Sequence, residues 1–220
     1  MALRTKGIDL TELLGLHYFL SDGFYPHQIV TYMFMHSTND FTHILFNMFA
    51  VVMFGRTLEQ FWGSKRFLIY YMVTGIGAGI VQILVAQVRI IPFYDLFSPA
   101  EFESIVTEGY AVLQQGQNYI DPDAGLLNVL YNSVTVGASG AVFGILLAFG
   151  WLFPNTELML LFPPIPLKAK WFVMIYGALE LYLGFANNAN DNVAHFAHLG
   201  GMVFGFVLLM IWQRDKTKFY

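Results

Sequence analysis

From Phe67 to Val88 the chain runs without a single charged side chain, and predominantly apolar runs recur at four other places. A hydrocarbon core about 30 Å thick takes ~20 apolar residues in a helix, and nothing inside it satisfies a stray backbone group. A chain with several such runs is therefore confined to a bundle of membrane helices. Composition agrees, with 12% charged residues and 56% hydrophobic, against about 25% charged in an ordinary soluble domain. The 220 residues leave room for one domain of several spans, and zero cysteines exclude disulfides, thiolate metal sites and a cysteine nucleophile.

Taken in order, residues 1–40 hold no run long enough to cross. Asp9, Glu12 and Asp22 interrupt them. Arg4 and Lys6 ahead of Leu13 to Leu20 have a superficial likeness to a signal peptide, which the acidic residues and the absence of a small-residue cleavage site contradict. The stretch reads as an outer interfacial loop region with short amphipathic turns, and the apolar Gln28 to Met35 as lying in the interface. The spans follow as Phe41 to Phe54 (extending toward Phe61), Phe67 to Val88, Ser139 to Phe153, Trp171 to Phe185 and Val193 to Trp212. Glu59, Trp62 and Gly63 are expected to cap and anchor the first. Residues 89–132 form an extracytoplasmic insert, with Asp95, Glu101, Glu103, Glu108, Asp121 and Asp123 against the single base Arg89, and are expected to be a solvated loop. If the five spans alternate, Arg56, Lys65, Arg66, Lys168, Lys170, Arg214, Lys216 and Lys218 share one side. Arg4, Lys6 and Arg89 share the other. That asymmetry puts the C-terminus in the cytoplasm, with the N-terminus and the insert outside. The whole of 1–220 reads as a single domain.

Polar residues inside these spans need a reason, because burying them in lipid is costly. Ser139 sits between Gly137 and Gly140 at the head of the third span, where glycines admit a close backbone approach and a starting helix offers free N–H groups. His43 and Asn47 lie four apart near the outer start of the first span, and His195 and His198 at the outer start of the last. All three groups share one depth. Gly140 and Gly144 on one span, and Ala197, Gly201 and Gly205 on another, form small faces that allow close packing. Packing alone would explain the glycines, but close approach also lets short Ser and His side chains meet. A serine and a histidine at one level suggest nucleophile and base, and the side chains of His43 and Asn47 can donate to an oxyanion.

With Gly137-Ala-Ser-Gly140, Ala197-His-Leu-Gly-Gly201 and His43-Ile-Leu-Phe-Asn47 in that arrangement, the chain resembles the rhomboid intramembrane serine proteases from about residue 8 onward. The resemblance implies an all-α polytopic bundle, rhomboid-like, with five spans readable of the six in the usual core; the one expected to be lacking is the first. It implies Ser139 as nucleophile and His198 as its base, a dyad with no carboxylate member, so Asp191 has no catalytic role. The oxyanion would be met by His43, Asn47 and the Ser139 backbone N–H, and Phe143, one turn after the serine, would pack on the catalytic imidazole. Substrates would be single-pass or other transmembrane proteins in the lipid bilayer, cut near the outer face of the cell's inner membrane. No cofactor, metal or nucleic acid is implied. His27-Gln28 departs from the Trp-Arg pair that members often show there.

Two polar residues stay outside that scheme. His195 has no His-Glu-x-x-His context for metal binding with His43 and His36 and reads as structural or interfacial. Glu180, inside the fourth span, reads as a neutral hydrogen-bonded side chain, or else as the proton relay of a small transporter. The remaining alternative is a non-catalytic rhomboid-like protein that binds membrane helices.

Overall fold

The computed structural model describes residues 9–36, 41–159, 164–186 and 194–216, nearly all helical. Arg4, Lys6, Lys218 and the link through Asp191 lie outside the described residues. Two single turns, α1 (Leu10–Leu14) and α2 (Gln28–Thr31), come first, with a 3-10 turn at Tyr32–Phe34. Helix α3 (Phe41–Ala50) passes through a π-helical turn, Val51–Gly55, into α4 (Arg56–Trp62). Then come α5 (Ser64–Ile90), α6 (Phe93–Leu96), α7 (Pro99–Gln114), α8 (Pro122–Asn132) and α9 (Ser139–Leu152). An antiparallel pair, β1 (Glu157–Met159) and β2 (Pro166–Lys168), sets Leu158 opposite Leu167 and leads into α10 (Ala169–Ala186) and α11 (His195–Lys216).

Among the described residues three helices are long and apolar enough to cross a membrane: Phe41–Trp62, Ser64–Leu96 and His195–Gln213. Helix α9 is shorter, with 14 residues, about 21 Å at 1.5 Å per residue. It is also the most enclosed, buried at nearly every position from Gly140 to Gly150. A central helix that touches protein rather than lipid need not span the full apolar thickness, since its flanking backbone is covered by its neighbours.

Small residues set that enclosure. At Gly201 a Cβ would overlap the Gly140 carbonyl, at Gly140 it would strike Ala78, and at Gly144 it would strike Thr74. The faces read from the sequence on α9 and α11 thus meet each other, and α5 closes the trio. Tyr70 donates its hydroxyl to the Gly144 carbonyl at 2.9 Å, and Thr74 donates its own to the Tyr70 carbonyl at 2.8 Å, so these two hydroxyls of α5 are satisfied inside the bundle. At the other end of the bundle Trp62 packs on Tyr70 and Trp212 with ring centroids 5.0 and 5.4 Å away. Gly63 turns the chain between α4 and α5 with φ +80°, a conformation that favours glycine, and Ser64 donates to Glu59 at 2.6 Å.

The 89–132 stretch is not the loop that its acidity and prolines led us to expect. Its prolines start helices instead of breaking them. Ser98 and Glu101 form a reciprocal capping box around Pro99, and Asp121 caps α8 ahead of Pro122. Ile105 on α7 and Ala124 and Leu127 on α8 bury against Tyr18, Ile90 and Phe93, while Glu101, Glu103, Glu108, Asp121 and Asp123 stay exposed.

Candidate active site

The segment leading to Ser139 is held by the amino-terminal region. Leu16 and Thr135 exchange both backbone hydrogen bonds at 2.9 Å, and Gly137 N–H donates to the Tyr32 carbonyl at 3.0 Å. Tyr32 is anchored in turn, its hydroxyl donating to the Gly75 carbonyl at 2.7 Å. Gly137 has φ +133° and lies so near His43 that a Cβ there would sit 3.0 Å from the imidazole. The chain then enters α9 with Ser139 as its first residue. The first N–H groups of a helix have no partner within it and carry its positive end, so they favour negative charge formed beside Ser139 Oγ.

Close contact of α9 with α11 brings the serine to His198. His198 Nε2 lies 2.8 Å from Ser139 Oγ. The Phe143 ring stacks on the imidazole with centroids 4.2 Å apart and planes 8° from parallel. Across α3, His43 faces His36 edge-on at 5.7 Å. Burial and the neighbouring His43 push the His36 imidazole below its usual range. Asn47 is buried, and its Nδ2 has no hydrogen-bond partner among the described residues. A buried amide donor held in reserve is costly to keep unless something else accepts from it. Of the residues picked out by sequence, Ser139, His198, Phe143, Gly137 and His43 thus share one locality, and Gly140 and Gly201 form the contact beneath it.

Two residues set aside by the sequence reading join them. Glu180 on α10 directs one oxygen, Oε2, at both His198 Nδ1, 2.8 Å away, and His195 Nδ1, 2.6 Å away. All three side chains are buried. The signal for this was present as two unexplained polar residues on adjacent spans, since a buried acid in a membrane helix calls for a partner. No spacing rule joins them, because the contact crosses from one helix to the next. Donor atoms of Glu180, His195 and His198 lie within 4.8 Å of one another, near enough for one small cation. As they stand, both Nδ1 atoms are turned onto a single oxygen and His198 Nε2 onto the serine, so hydrogen bonding already uses them.

The comparisons with known proteins point the same way. The chain is 25% identical over 197 residues to a mitochondrial RHOMBOID-like protein 6 of Arabidopsis thaliana, an alignment taking in 87% of this chain and 47% of that protein. It is 27% identical over 194 residues to a putative rhomboid protease of Bacillus subtilis, covering 88% and 70% respectively. It is 25% identical over 181 residues to the mitochondrial Rhomboid protein 1 of Saccharomyces cerevisiae, covering 82% and 40%. The chain therefore spans less than half the length of two of these relatives. No solved structure matches it. The family model of the Rhomboid domain matches residues 24–214, taking in every helix around the serine, and with its apolar helices the chain is an integral membrane protein that belongs to the rhomboid family.

Proposed function

We propose that this chain is an intramembrane serine endopeptidase that cuts transmembrane segments of other membrane proteins through an acyl-enzyme. The observation that carries the reading is the 2.8 Å approach of His198 Nε2 to Ser139 Oγ at the head of α9. His198 takes the serine proton as Oγ bonds to the scissile carbonyl carbon, and the carbonyl oxygen becomes an oxyanion. The Ser139 N–H, Asn47 Nδ2 and His43 supply donors to it. The tetrahedral intermediate collapses, the C–N bond breaks, and the leaving amine takes the proton from His198 Nε2. Water then attacks the acyl carbon, giving up a proton to His198 Nε2; the ester C–O bond to Ser139 breaks, Oγ takes that proton back from His198, and the acid is released.

A membrane-embedded nucleophile suits a substrate that is itself a membrane segment. The short α9 is consistent with a serine below the bilayer surface. The excess of Lys and Arg in alternate loops supports a multi-pass protein of the inner, cytoplasmic membrane, with its C-terminus inside and the site toward the outer face.

The test is cleavage of a transmembrane reporter by protein in proteoliposomes. Ser139→Ala and His198→Ala are each expected to lower the rate by roughly 10⁶-fold, with the thermal midpoint unchanged in Ser139→Ala and lowered in His198→Ala, which loses the Phe143 stack and a partner of Glu180, and a fluorophosphonate probe is expected to label the parent but not Ser139→Ala. Cleavage that survives in either variant refutes the assignment. A parent protein that binds transmembrane helices but neither cuts them nor takes the label supports the non-catalytic alternative.

A further inference from the structure

We infer that Glu180 completes a Ser139–His198–Glu180 relay as a positioning residue, with His195 holding its carboxylate in place. The inference rests on Ser139 acting as the nucleophile, and it adds a member that the resemblance to Ser–His dyad proteases does not imply.

Glu180 is 7% exposed within a bundle of apolar helices, where an acid without partners would cost several kcal/mol. It has two, and both meet the same oxygen. Oε2 receives His195 Nδ1 at 2.6 Å and His198 Nδ1 at 2.8 Å. A carboxylate only accepts, so each Nδ1 supplies the proton. For His198 that choice settles the other nitrogen as well. With the proton on Nδ1, Nε2 keeps its lone pair, and Nε2 is the atom 2.8 Å from Ser139 Oγ. The opposite tautomer would turn a lone pair onto the carboxylate and an N–H onto the hydroxyl, leaving the serine with no base.

Two contacts then fix the ring completely. The parallel Phe143 ring sets the plane of the imidazole, and the Glu180 bond sets its rotation within that plane. When Oγ attacks a carbonyl carbon, its proton passes to Nε2 and the ring becomes an imidazolium with both nitrogens protonated. Glu180 stays ionised and offsets that charge, and the proton leaves from Nε2 to the departing amine. His195, one turn before His198 on α11, gives Oε2 a second donor. With that donor in place, the carboxylate does not swing away when the His198 bond strengthens and relaxes during turnover.

The bland alternative is that the Glu180 pair of bonds merely ties α10 to α11. A tie would affect folding and substrate affinity, whereas the relay acts on the chemical step and on the tautomer. The experiment is reporter cleavage by the full chain in proteoliposomes for the parent, Glu180→Gln and Glu180→Asp, joined to ring-¹⁵N histidine spectra of the parent, with His198 assigned by its loss in His198→Ala. Glu180→Gln is expected to lower kcat by about 10²-fold or more at unchanged KM, and Glu180→Asp to recover at least part of it. The parent spectrum is expected to show His198 protonated at Nδ1. An unchanged kcat in Glu180→Gln overturns the relay, as does a neutral His198 protonated at Nε2 in the parent, a result that stands even if the variant fails to fold. Loss of parent activity on adding a chelator also overturns it, in favour of a metal held by the same three groups. These failures are separable from failure of the protease reading itself, in which Ser139→Ala would cleave as well as the parent.

Discussion

The Phe143 ring lies flat on the His198 imidazole, with centroids 4.2 Å apart, and Tyr176 of α10 stacks on Phe143 at 5.3 Å. Phe172 continues the column at 5.5 Å from Tyr176. A stacked aromatic pair adds about 0.5–1.5 kcal/mol beyond its area, enough to bias the ring toward one tilt. Phe143→Leu keeps most of the volume and removes the flat face. We expect the variant to fold with a near-parental thermal midpoint and to cleave a reporter roughly tenfold more slowly, through kcat, which corresponds to about 1.4 kcal/mol. Parental kcat in that variant would show that the stack is packing alone.

Gly201 bears on the same geometry from below. Its missing side chain lets α11 rest on the Gly140 carbonyl, one residue after Ser139. Gly201→Ala must push the two helices apart, at about 1–3 kcal/mol for an overpacked core site, and any separation also lengthens the Ser139–His198 contact. The expected result is a lowered thermal midpoint together with loss of cleavage. At Gly177 the nearest atom to an added Cβ is the flexible end of Met202, 3.1 Å away. Gly177→Ala should therefore be tolerated on both measures, and equal damage at the two positions would refute the backbone-contact argument.

Much of this was legible in the sequence, for a physical reason. A serine flanked by glycines, a histidine with a small face below it and apolar runs of crossing length are local patterns, the last two dictated by lipid. Ser139, His198, Phe143 and the faces at Gly140 and Gly201 could therefore be placed from spacing and resemblance. Glu180 and His195 could not, because their partnership depends on how α10 leans on α11. The helices of the insert are a different case. Ser98-Pro99 with Glu101, and Asp121-Pro122, are helix-start signatures that the acidity of the stretch obscured.

Gln28, which departs from the pattern that family members often show, is fully buried and is a hub of the region that braces Thr135 and Gly137. Its Oε1 accepts from the backbone N–H of His17 at 3.3 Å and of Tyr25 at 3.2 Å, while Nε2 donates to the Gly23 carbonyl at 2.8 Å. Gln28→Ala strands all three backbone groups, each at a cost of about 1–3 kcal/mol if it stays buried. The expected outcome is faster hydrogen exchange at Leu16 and at Thr135 to Gly137, with reduced cleavage. Unchanged exchange there would detach Gln28 from the site.

The same region is expected to make the protein sensitive to mild acid. His17 is buried, with Gly23 against its ring and one nitrogen 3.1 Å from the Glu12 carbonyl. Burial holds its imidazole below the usual range, only partly offset by that carbonyl, and His36 is lowered likewise by burial and by His43. In the unfolded chain both titrate near about 6.5. Below that pH, and down to their folded values, the unfolded state binds more protons, so stability rises with pH. The stabilisation is complete above the unfolded value and is lost as pH falls through it. Glu12 is raised by burial and by Asp9 and so acts in the opposite sense, but in the lower window just above the ordinary carboxylate range. The thermal midpoint in detergent should therefore fall between pH 7.5 and 5.5, and His17→Gln should flatten that fall. A midpoint that holds or rises on acidification would mean that neither histidine is kept neutral by the fold.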